Sequence, residues 1–167
     1  MKVRLRLAAL VALALATVLG GLAFAAPASA TTDAGGTWNY RHIQNGYCLD
    51  SNGSFQVYMG SCNGGTYQQW NVTIQNIGTC IDSTCYDYYV ATLKDRATGY
   101  CLDGNSTKLY THVCNGGEYQ QWHVSDSTAT LTSEATNDCL DGSGTSVYPH
   151  ACNAGNAYQE WQEGAYS

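Results

Sequence analysis

The chain has 167 residues, eight cysteines, two prolines and a formal charge of −6. Its first thirty residues read as a secretory signal peptide, with Lys2, Arg4 and Arg6, an apolar run from Leu7 to Ala26 and the small-x-small site Ala28-Ser29-Ala30. From Thr31 to Ser167 there remain Arg41, Lys94, Arg96 and Lys108 against thirteen carboxylates, a formal charge of −9. This excludes polybasic membrane docking and disfavours nucleic acid, and the length predicts one domain and no large multidomain enzyme.

The stretch Ala8 to Ala26 is nearly long enough to cross a bilayer, but Gly20-Gly21, Pro27 and the lack of a basic stop-transfer flank favour cleavage and export. Nothing downstream predicts membrane insertion. Eight cysteines after the signal fit an oxidising compartment. Their spacing gives no Cys-x-x-Cys and no His-x3-His, so zinc is not expected.

A repeat then emerges along the chain. It opens with Tyr40 and Gly46 ahead of Tyr47-Cys48-Leu49-Asp50, continues with Val57-Tyr58, Cys62 and Asn63-Gly64-Gly65, and closes on Gln68-Gln69-Trp70. An insertion within 74–90 carries Cys80, Cys85 and a tyrosine cluster of Tyr86, Tyr88 and Tyr89. The second copy runs through Leu93, Gly99, Cys101-Leu102-Asp103, Leu109-Tyr110, Cys114, Asn115-Gly116-Gly117 and Gln120-Gln121-Trp122. The third has Leu131, Asn137, Cys139-Leu140-Asp141, Val147-Tyr148, Cys152, Asn153-Ala154-Gly155 and Gln159-Glu160-Trp161. Gly46, Gly99 and Asn137 are residues that tolerate positive φ, so one left-handed position is expected three times. Short runs rich in Val, Ile, Thr, Tyr and Trp between Gly and Asn predict strands and turns. Three units of about forty residues, over roughly 38–90, 91–128 and 129–167, predict an all-β domain around a pseudo-threefold axis with Trp70, Trp122 and Trp161 in its core.

This triplicate pattern over nearly all of the exported chain resembles the ricin-type β-trefoil lectins. The resemblance implies twelve strands in three lobes and disulfides Cys48–Cys62, Cys101–Cys114 and Cys139–Cys152, which leaves Cys80 with Cys85. It also implies a sugar site in each lobe. There Asp50, Asp103 and Asp141 would hold hydroxyls, Tyr58, Tyr110 and Tyr148 would stack, and Gln68, Gln120 and Gln159 would support the aspartates. Where that family has an Asn before the Gln, this chain has Tyr67, Tyr119 and Tyr158.

The chemistry suits a neutral sugar, whose hydroxyls need a carboxylate and an amide and whose C–H face needs an aromatic ring. Asn63, Asn115 and Asn153 supply a candidate amide or, equally, a turn residue before glycine. Each aspartate alternatively caps a turn, and each Gln has a structural reading. The histidines His42, His112, His123 and His150 lie in no catalytic motif, and the repeated carboxylates are expected to lie too far apart for a glycosidase pair. The expectation is a secreted, non-catalytic lectin without metal or cofactor, binding clustered glycans or cell-surface polysaccharide at up to three weak sites. The rival is a structural or interaction subunit, or a protease inhibitor, that meets a protein partner through Tyr86, Tyr88 and Tyr89. A hydrolase comes third.

Overall fold

Branched and aromatic side chains pack well on a pleated surface, and the chain's short runs of them form strands. A computed structural model describes residues 33–77 and 88–165 and contains twelve strands there. In unit one these are β1 (Asp33–His42), β2 (Cys48–Ser51), β3 (Val57–Gly60) and β4 (Trp70–Ile77). Unit two has β5 (Tyr88–Asp95), β6 (Cys101–Asn105), β7 (Lys108–His112) and β8 (Trp122–Ser125). Unit three has β9 (Thr130–Ser133), β10 (Asp138–Ser143), β11 (Ser146–Ala151) and β12 (Trp161–Ala165). The signal segment, Cys80, Cys85 and Tyr86 lie outside the described residues. No helix among the described residues is long and apolar enough to cross a membrane.

The first and last strands of each unit build a barrel. Antiparallel pairing runs β12–β1, β1–β4, β4–β5, β5–β8 and β8–β9. Between β12 and β9 the Trp161 N–H donates to the Ala129 carbonyl at 2.6 Å. The middle strands form three hairpins, β2–β3, β6–β7 and β10–β11, and these contact one another through β3, β7 and β11. This is the trefoil arrangement the repeat predicts. The second unit starts at Tyr88, before the expected boundary at 91, because Tyr88 to Ala91 pair with Trp122 to Ser125.

The core gathers Trp70, Trp122 and Trp161 with Leu49, Leu102 and Leu140, all essentially without exposure. Each indole N–H donates to the carbonyl of the leucine in its own unit, at 3.3, 3.2 and 2.9 Å. A buried tryptophan thus packs without leaving a polar atom stranded. Next to this layer, cross-strand pairs join the units: Val72 with Leu93, Val124 with Leu131, and Glu163 with Tyr40. Two pairs are apolar and the third is not.

Cystines Cys48–Cys62, Cys101–Cys114 and Cys139–Cys152 close as the resemblance implies, with Cα atoms 5.0, 5.1 and 5.0 Å apart. Each fastens the start of a hairpin to the loop that leaves it. The expected left-handed position also occurs three times, with φ of 73° at Gly46, 73° at Gly99 and 59° at Asn137. There the N–H of each turns back to the carbonyl of His42, Asp95 or Ser133.

Hydrogen bonds tie neighbouring hairpins at two seams. Met59 N–H donates to Thr145 O at 2.8 Å, and Thr111 N–H donates to Phe55 O at 3.0 Å. The corresponding third position, three residues before the second cysteine, is Pro149, which has no N–H to give.

Candidate functional site

In each unit the aspartate that ends the Cys-Leu-Asp tripeptide pairs across the hairpin with the tyrosine: Asp50 with Tyr58, Asp103 with Tyr110 and Asp141 with Tyr148. Paired residues share a face of the sheet, so carboxylate and phenol meet. The glutamine reaches them from the short turn after the Gly-rich loop. Its Nε2 donates to the aspartate Oδ2 at 2.7 Å for Gln68, 2.9 Å for Gln120 and 2.9 Å for Gln159. The second proton of that amide goes to the carbonyl of Ser61, Val113 or Ala151, and Oε1 accepts the N–H of Asn63, Asn115 or Asn153. The glutamines are fully buried clips, each with every hydrogen-bonding group used.

Asp50, Asp103 and Asp141, expected to hold hydroxyls, retain only 7, 4 and 4% of their exposure and are buried acids. The glutamine bonded to each is itself without exposure and comes from 17 or 18 residues further along the chain. Asp103 and Asp141 nevertheless keep an Oδ1 that no group bonds, among the described residues. A buried acceptor without a donor is costly unless something else supplies the proton. Tyr58, Tyr110 and Tyr148 are half-buried, and burial first, then the neighbouring aspartate, raises each pKa, so the phenols stay neutral beside the carboxylates.

Tyr67, Tyr119 and Tyr158 stand exposed next to this pair, the residues by which the chain departs from its resemblance. They recur immediately before the glutamine in all three units. In unit three the ingredients form a depression of about 260 Å³ lined by Asp141, Ser143, Tyr148, His150, Asn156 and Tyr158. His150, taken from the sequence as incidental, has its Nδ1 3.8 Å from Asp141 Oδ2 and half of its side chain in solvent. Its counterpart in unit two is His112 and in unit one Gly60.

The other candidates disperse. Asn63 and Asn115 turn their Oδ1 to the N–H of Gly65 and Gly117, so their oxygens organise the loop. Tyr89 lies on β5 packed against the core, and its hydroxyl donates to Glu163 Oε1 at 2.8 Å. His42 is buried against the ring of Trp161, and His123 pairs with Glu134. No group of three or more His, Cys, Asp or Glu among the described residues is placed to hold a metal ion.

The model of the ricin-type beta-trefoil lectin domain matches residues 37–161. The chain belongs to this family. No curated protein matches the sequence. Among solved structures it is similar to a designed threefold symmetric protein, ThreeFoil, with a TM-score of 0.59 and 22% identity over 76% of this chain and 96% of that one. It is also similar to SeviL bound to asialo-GM1 saccharide, with a TM-score of 0.58 and 14% identity over 79% of this chain and 98% of that one. A lectin of Polyporus squamosus bound to a human-type influenza-binding epitope gives 0.58 and 17% identity, over 78% of this chain and 49% of the other. At these identities the likeness is one of fold.

Proposed function

We propose that the protein is a secreted, non-catalytic lectin that takes neutral glycans at up to three shallow tyrosine-walled sites. The supporting observation is the depression of unit three, where Asp141 lines an open hollow together with Tyr148, Tyr158, His150 and Asn156. Carboxylate, amide and imidazole groups suit sugar hydroxyls, and the rings offer faces to the C–H side of a pyranose. Family membership and the saccharides bound by SeviL and the Polyporus lectin point the same way. Secretion rests on the pattern of residues 1–30. Non-catalytic action rests on histidines that lie in no catalytic motif and on the three repeated carboxylates, each bonded to a glutamine. Hollows this open bind weakly one at a time, so clustered glycans on a surface are held by avidity.

A glycan array probed with residues 31–167 tests this reading. The wild type is expected to bind a set of terminal sugars, and Tyr148→Ala with Tyr158→Ala to lose the third-unit share of that binding while keeping its melting temperature within a few degrees. Wild-type protein that is folded and binds no glycan ends the proposal.

A further inference from the structure

The hairpins of units one and two differ in one respect that the repeat alone hides. Ser51 pairs with Val57 around a five-residue loop, whereas Asn105 pairs with Lys108 and Ser143 with Ser146 around loops of two. The longer loop is built by Asn52, whose Oδ1 accepts the N–H groups of Ser54 and Gln56 at 2.8 and 3.2 Å. Its far end reaches the neighbouring unit, where Gln56 bridges Tyr110 and Phe55 O accepts from Thr111 N–H. Between the two units lies a cleft of about 740 Å³, lined by residues 54–58 and 108–112. Tyr58 and Tyr110, which the threefold pattern assigns to separate lobes, both line it.

The walls of this cleft match a chain of sugar rings. Phe55 is held at φ of 64°, a conformation costly for a bulky residue, on the order of 1–3 kcal/mol, and the residue is 45% exposed with its ring stacked on Tyr100 at 4.9 Å. Strain retained to present an aromatic ring to solvent beside two tyrosines marks a binding surface. Lys108 holds its Nζ 5.4 Å from the centre of the Tyr110 ring and makes no ion pair among the described residues. With Gln56 and His112 it supplies polar groups between the rings. At about 740 Å³ against about 260 Å³ for the hollow of unit three, the space suits several rings and not one. The formal charge of −9 outside the signal disfavours a polyanion.

We infer that units one and two share a single extended site for a neutral linear oligosaccharide, running from Tyr58 past Phe55 to Tyr110, while unit three binds a sugar residue alone. This rests on the lectin reading and sharpens it: the molecule has one chain-binding cleft and one end-binding hollow in place of three equal sites.

The test is calorimetric titration with cello-, xylo-, manno-, galacto- and chito-oligosaccharides of one to five residues, alongside the array. At least one series is expected to gain about tenfold or more in affinity between one and three residues. Phe55→Gly is the informative variant, because glycine accepts the positive φ: the melting temperature should hold or rise while the gain with length disappears. Tyr148→Ala should leave that gain intact. Affinity independent of length, a gain that survives Phe55→Gly combined with Lys108→Ala, or array binding with no response to any of these chains each overturns the extended site and leaves the lectin standing. Absence of all glycan binding instead removes the lectin reading itself.

Discussion

The aspartate–glutamine clip and the barrel layer beside it obey the same pseudo-threefold axis, yet the first is copied faithfully and the second is not. Every clip has the same donor, acceptor and backbone partners in all three units. In the barrel, Val72–Leu93 and Val124–Leu131 are answered by Glu163–Tyr40. The clip closes inside one unit and buries a carboxylate, so any copy that changed would strand part of a buried charge. The barrel pair lies between units, where a third element can compensate, and Tyr89 of β5 does so by donating to Glu163.

Breaking a clip should have the largest effect. Gln120→Leu leaves Asp103 and the Asn115 N–H without partners and is expected to cost about 3 kcal/mol in a denaturant melt. Adding Asp103→Leu should return part of that loss, because the stranded acid is then gone. No recovery would mean that the clip's shape matters more than its charge.

Glu163 tests the other side of the comparison. Burial raises its pKa, outweighing the lowering by the Tyr89 and Tyr40 hydroxyls, with Asp126 adding to the rise. A carboxyl whose folded pKa lies above its unfolded value gives its full stability in acid and loses it as pH climbs through the folded value. The wild type should therefore lose stability from the ordinary carboxylate range upward, and Glu163→Val should flatten that slope and raise the melting temperature by a few degrees at neutral pH. A variant with the wild-type slope would place the titration elsewhere.

Pro149→Ala should have the smallest effect, restoring the N–H that the other two seams use. The change is expected within about 1 kcal/mol of the wild type, since proline also stiffens the unfolded chain. Slower amide exchange at position 149 than at exposed turn residues would show that the third seam had closed.

Much of the architecture was legible because it is written locally. Cysteine spacing, the Gly46, Gly99 and Asn137 turns, and the three tryptophans each repeat within one unit, and each was found where the pattern put it. The depth of the aspartates was not legible, because the glutamine that bonds each of them lies 17 or 18 positions away. Nor was the inward turn of Tyr89, whose partner Glu163 is 74 residues distant. The cleft between units one and two left a faint trace, one extra residue between Asp50 and Tyr58 relative to the other copies. Its meaning depends on which strand the longer loop can reach.

Because β1 and β12 are hydrogen-bonded neighbours, with Trp38 opposite Ala165, the ring of strands has no privileged beginning. A short linker between those two strands and new termini in the turn between β8 and β9 would give a circular permutant in which each of the three described cystines still closes within its own unit. The order in which the three units are threaded is then a matter of inheritance, and their mutual arrangement a matter of packing.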